Sequence, residues 1–224
     1  MVLEIVYQTQ NIPAPFAYEA LFKIDLSLDV QVSFELNYLD RDELTDDEII
    51  NEGFSLNDDF LWNGNLGSNW RPLLLSRFKN FNYQNKPSEN FYIYVLIDGK
   101  EKGFLALENN LLLQELMQGV FESSGKEDAL TLRFYENDIE TTVTWKFSLR
   151  ELLVNNILTN WTHGNTLMQE VYSSNLEELK SYLKPKNKSV STNLVDWLPL
   201  ERPQVWKALK ALLDITKNNL TFFI

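Results

Sequence analysis

The sequence predicts an α+β protein. It is expected to hold an antiparallel sheet of about six or seven strands built from hairpins, a central helix, and a helical C-terminal third packed on the sheet. Three observations carry this. Residues 16–38 alternate apolar and polar almost without a break, the period of a half-buried strand. Asp98-Gly99 follows an apolar run directly, the strongest short hairpin signal, because a two-residue type I′ turn needs positive φ at both central positions. Leu112, Leu113, Leu116, Met117, Val120 and Phe121 repeat at helical spacing. The hairpin-rich region is expected over residues 1–149 and a helical region over 150–224, the two packed as one domain.

In chain order, residues 2–7 read as a short strand ended by Pro13 and Pro15, which cannot continue a ladder. Within residues 16–38 the apolar positions keep one parity throughout. A strand of that length is improbable, since typical strands run to about 5–6 residues. A hairpin that keeps parity needs an odd loop. Ser27-Leu28-Asp29 is therefore expected to form it, with Asp29 left-handed and Leu26 opposite Val30. Thr45 and Glu48 make a capping box that starts a short helix, with Asp46 and Asp47 at its positive end and Gly53 at its stop. Residues 54–89 show little regular structure, except a short helix or strand over 73–81.

Residues 91–97 are apolar on both parities and so read as a strand covered on both faces. Pairing Ile97 with Lys100 would set Ile93 opposite Phe104 and Tyr94 opposite Gly103, a ring over bare backbone. Asn109 can cap the helix that follows, and Gly125 can end it. Leu130, Leu132 and Phe134 lie on even positions, but Val143, Trp145 and Phe147 lie on odd ones. That flip demands an even loop, which puts Leu132 opposite Val143 and Leu130 opposite Trp145. From Arg150 the pattern turns helical, over 152–158, 166–183 and 203–217, with 184–192 resembling a hinge. The apolar residues 220–224 are expected to dock on the body or meet a partner.

Composition narrows the function. With a net charge of −12, the chain is poorly suited to phosphate backbones, which need clustered cations. It holds no cysteine, which excludes thiolate metal sites and thiol nucleophiles and fits a reducing compartment. No basic-then-apolar leader begins the chain, and no apolar run approaches the ~18 residues of a spanning helix. A soluble, cytoplasmic protein is expected, with no nucleic-acid or membrane partner. Phosphate-binding glycine loops, the nucleophile elbow and the paired-histidine zinc motif are missing. His163 is the single histidine and reads as part of an interhelical turn.

The densest charge lies in one stretch. Asp40, Asp42, Glu43, Asp46, Asp47, Glu48, Glu52, Asp58 and Asp59 surround a lone Arg41. The spacing lacks the alternation and turn glycine of a calcium loop, so no metal or cofactor is expected. Trp62, Trp70 and Arg71 are the candidate binding residues, because tryptophan and arginine are enriched where binding energy concentrates. The competing reading has both indoles plugging a sheet face. The expected function is a non-enzymatic binding or assembly protein, acting on a protein partner or on itself. The alternative is a metal-independent hydrolase of glycosidase type, using two carboxylates. A cleft with a raised carboxyl pKa would favour the hydrolase, and an apolar patch with an acidic rim would favour binding.

Overall fold

The alternation in residues 16–38 folds as the odd-loop hairpin it predicts. In the computed structural model, strands β2 (Tyr18–Asp25) and β3 (Val30–Tyr38) pair in the register that sets Asp25 against Gln31 and Phe22 against Phe34. Leu26 and Val30 therefore close the hairpin. The turn itself differs from expectation, since Asp29 is not left-handed. The turn is held instead from outside. Asp25 accepts from the Ser27 amide at 2.8 Å, and Arg71 donates to the Leu26 and Ser27 carbonyls at 2.9 and 3.2 Å.

The structure describes residues 1–88, 91–106, 109–136, 139–161 and 188–192. The chain divides into two compact units, Met1–Glu127 and Asp128–Ile224. The expected single sheet is thus two sheets, one in each unit. Parity tells which residues share a face. It does not tell which sheet a hairpin joins.

In the first unit, β1 (Val2–Thr9) lies between β2 and β5 (Phe91–Ile97). With β4 (Phe60–Leu66) and β6 (Lys100–Phe104), the order is β4-β3-β2-β1-β5-β6. The buried face of the sheet carries Leu3, Ile5, Phe22, Ile24, Val32, Phe34, Ile93 and Val95, which pack with residues of two helices. These helices are α2 (Trp70–Asn80) and α3 (Asn110–Ser124). The shorter α1 (Asp46–Asn51) opens with the expected capping box: the Thr45 hydroxyl accepts from the Glu48 amide, and the Glu48 carboxylate accepts from the Thr45 amide at 2.8 Å.

Residues 54–89 prove far more regular than expected, because they hold β4 and α2. In β4, Phe60, Trp62 and Leu66 do alternate, but Gly64 takes the fourth inward place and Asn63 and Asn65 lower the strand propensity. The register at β6 is also corrected. Ile97 pairs with Lys100, but a bulge between Val95 and Leu96 sets Val95 opposite Gly103 and Tyr94 opposite Phe104. Gly103 has a positive φ, and a Cβ there would lie 2.6 Å from the Gln84 carbonyl oxygen, so only glycine fits. Helix α3 begins after Asn109, whose side chain donates back to Ala106 rather than capping, and Gly125 ends it at φ +74°. The outward side chains of β5, Tyr92, Tyr94 and Leu96, are half-buried rather than covered.

In the second unit, β7 (Leu130–Glu136) and β8 (Ile139–Lys146) pair with Leu132 opposite Val143 and Leu130 opposite Trp145, as the parity flip requires. Residues 152–158 do not form a helix. They make a hairpin of β9 (Glu151–Val154) and β10 (Ile157–Thr159). Its turn residues Asn155 and Asn156 both have positive φ, the left-handed pair that a two-residue turn demands and that asparagine tolerates. Asn155 fixes this turn to β8 by accepting from the Thr142 amide and donating its own amide to the Thr142 carbonyl, both at 2.8 Å. Part of the expected hinge is β11 (Lys188–Thr192), paired with β7. The helices expected over 166–183 and 203–217 lie outside the described residues, as do His163 and residues 220–224. Among the described residues, no helix is long and apolar enough to cross a membrane.

Candidate binding surface

Arg41, the one cation of the acidic stretch, organises the surface of the first unit. It stands in the short 3₁₀ turn after β3, just beyond Asp40, which is left-handed at φ +57°. Its guanidinium carbon lies 3.7 Å from the ring centre of Tyr38 and 4.6 Å from that of Phe54. Nε and Nη2 both donate to the Pro15 carbonyl, at 3.3 and 3.2 Å, and Nη1 donates to the Ser55 carbonyl at 3.1 Å. Nη1 also meets Asp58 at 3.3 Å, the one ion pair among the described residues. A planar fork can stack on rings and bond in its own plane at once, and a lysine cannot.

This clasp joins three separate stretches: the proline-rich loop after β1, the end of β3, and the approach to β4. Asp58 also accepts from the Ser55 amide and hydroxyl, at 2.8 and 2.6 Å, and Asp59 accepts from the Tyr38 amide at 2.9 Å. Desolvation pushes the Asp58 carboxyl up, but the bonds from Ser55 and Arg41 outweigh it and hold the acid below its ordinary range. Burial, and then the Asp58 charge, raise the Tyr38 phenol.

Aromatic rings lead from the interior to this surface. Tyr7 contacts Tyr18 at 5.7 Å, Tyr18 contacts Tyr38 at 6.3 Å, Tyr38 contacts Phe54 at 5.5 Å, and Phe54 contacts Phe16 at 5.4 Å edge to face. Tyr7 is buried, whereas Phe16 is 44% exposed at the far end. Ile12 and Leu56, neighbours in the same two loops, are also exposed. The acidic stretch that carries Arg41 presents Asp40, Asp42, Glu43, Asp46, Asp47, Glu52 and Asp59 to solvent. The exposed Phe16 ring thus stands on the Arg41 clasp, in a part of the chain whose exposed charge is acidic.

The sequence-derived binding residues fall elsewhere and take three different roles. Trp62 lies on the inward side of β4, opposite Phe34, and is half-buried with its indole laid over Gly64. Trp70 is the first residue of α2 and is fully buried in the core. Arg71 braces the β2–β3 turn through the two carbonyls named above. The segment is thus strand and helix rather than loop, and Trp70 is interior. The Arg41 clasp was missed because the carbonyls and carboxylate it bonds lie 14 to 26 residues away along the chain. The available signal was a lone arginine among nine carboxylates.

Among the described residues, Asp25, Glu48 and Asp58 are carboxyls held below their ordinary range, through bonds donated by Ser27, Thr45, and Ser55 with Arg41. A glycosidase acid needs the opposite shift. No family model, no curated protein and no solved structure matches the chain.

Proposed function

We propose that this is a non-enzymatic binding or assembly protein of the cytoplasm. Its partner is a protein surface that offers an apolar socket flanked by lysine or arginine. The observation that supports this is the exposed Phe16 ring, backed by Phe54 and locked by Arg41, in a part of the chain whose exposed charge is acidic. A large ring already held in place loses little entropy on binding, and a desolvated aromatic anchor carries a disproportionate share of binding energy. The exposed carboxylates would speed encounter and select a cationic partner, and salt would weaken their effect.

The test compares the wild type with Phe16→Asp and with Asp42→Lys/Asp46→Lys, as baits in the native host's extract at low and high salt. A partner retained by the wild type, reduced about tenfold or more by Phe16→Asp and made less salt-sensitive by the lysine variant supports the reading. A partner held equally by all three refutes it. Each variant should keep the wild-type circular dichroism, with only a small drop in melting point from the lost Phe16–Phe54 contact and from lysine at the start of α1.

A further inference from the structure

The two edges of the first sheet are built differently. At one edge, β6 carries Lys100, Glu101 and Lys102 side by side and exposed, and a bulge interrupts its pairing. Gln84 also covers its end, exchanging bonds of 2.8 and 2.9 Å with Phe104. Charge, a bulge and a covering segment are the devices that stop a strand from pairing with another chain. At the other edge, β4 has none of them among the described residues. Its seven residues, Phe60-Leu-Trp-Asn-Gly-Asn-Leu66, hold no charge and no proline. Among the described residues, no strand pairs with β4 on the side away from β3. Leu61 is 67% exposed on its outward face.

We infer that β4 is a self-association edge and that its occupant is β4 of a second copy, paired antiparallel about a two-fold axis through Asn63. Three features of the strand favour a copy of itself. Only the register centred on Asn63 pairs all seven residues. That register sets Trp62 opposite the partner copy's Gly64 and Phe60 opposite its Leu66, and because each indole lies over Gly64 of its own strand, the two indoles come side by side across the axis as an aromatic pair on the inner face. It also sets Asp59 opposite Gly67 and Asp58 opposite Ser68, so the flanking carboxylates of the two copies stand at opposite ends. At about 3.4 Å per residue their separation exceeds roughly 20 Å, beyond the screening length at physiological salt. In the symmetric assembly, two six-stranded sheets become one.

The absence of cysteine from the chain gives a clean test. Asn63→Cys should cross-link to itself under mild oxidation, because directly opposed residues lie within disulfide reach, about 4.5–5.5 Å between Cα atoms. Leu61→Cys should not, since the axis separates the two copies of that position by four residues. Sedimentation of the wild type at rising concentration should show the mass doubling. Leu61→Lys/Asn65→Lys, which sets like charges opposite each other on an exposed face, should abolish the doubling, leave the circular dichroism unchanged and remove any dependence of the melting point on protein concentration. The inference is overturned if the wild type stays monomeric, as it would if β4 instead takes a strand from another protein. It is overturned equally if the lysine variant dimerises as well as the wild type, or if Leu61→Cys cross-links faster than Asn63→Cys.

Discussion

Replacing Arg41 with methionine removes the guanidinium but keeps the alkyl stem, so it isolates the clasp from simple packing. Hydrogen bonds from a charged donor contribute about 1.5–3 kcal/mol each, and ring stacking about 0.5–2. The pair with Asp58, whose side chain keeps 26% of its surface in solvent, adds about 1 kcal/mol. These values do not add, and donor distances of 3.1–3.3 Å are long for charge-assisted bonds. A net loss of about 2–3 kcal/mol is therefore expected, seen as a melting point lower by roughly 5–10 °C. Arg41→Lys should recover less than half, because a point charge can serve one carbonyl but cannot stack and bond two at once. The Asp58 share has a definite pH dependence. Its folded acid is stronger than its unfolded one, so this stabilisation is present above the ordinary carboxylate range and is lost as pH falls through the lowered folded value. The difference between the wild type and Asp58→Asn should shrink over that acid window. Urea titrations of each variant measure the loss, and limited proteolysis across residues 40–59 reports local opening. A loss for Arg41→Met below about 0.5 kcal/mol, the level of an ordinary surface change, would refute the clasp. Full recovery by lysine would refute its planar geometry.

Other outcomes follow from single contacts. Trp70→Ala should cost about 3–5 kcal/mol by urea denaturation, as a core deletion does, and Arg71→Ala less, through loosening of the β2–β3 turn. Gly64→Ala should cost about 1–3 kcal/mol, because its methyl would enter the volume of the Trp62 indole, and adding Trp62→Leu should relieve part of that loss. Asn156→Val should lower the urea midpoint, because a β-branched residue is forced into the left-handed region there, while Asn156→Gly should leave the midpoint unchanged. The Tyr83 phenol, raised to about 12 by burial, donates to the Phe78 carbonyl at 2.7 Å and should stay neutral until strongly alkaline pH in an ultraviolet titration against Tyr83→Phe. Its contribution to stability is full below the ordinary tyrosine pKa of about 10 and is lost as pH rises through the folded value.

Some features of this protein need only neighbours along the chain, and the sequence alone determined those. The Thr45–Glu48 capping box closes within one turn of helix. Parity fixed the registers of the β2–β3 and β7–β8 hairpins, because a one-residue slip would turn every buried side chain to the other face. Gly125 ends α3 because a left-handed stop has a recognisable residue. Other features depend on residues far apart in sequence, and only the tertiary structure decided those. Gly64 breaks the pattern of β4, and the strand exists because Trp62 covers that glycine while β3 supplies a ladder. The bulge at Gly103 answers to the Gln84 carbonyl, which no local pattern announces. Trp70 was legible as a large aromatic beside an arginine, but composition cannot say whether an indole points inward, and here it does. The candidate surface depends most on long range. Phe16, Tyr38, Arg41, Phe54 and Asp58 become one unit only when the loop after β1 folds against the approach to β4, since burial and stacking follow distance in space and the sequence records only distance along the chain.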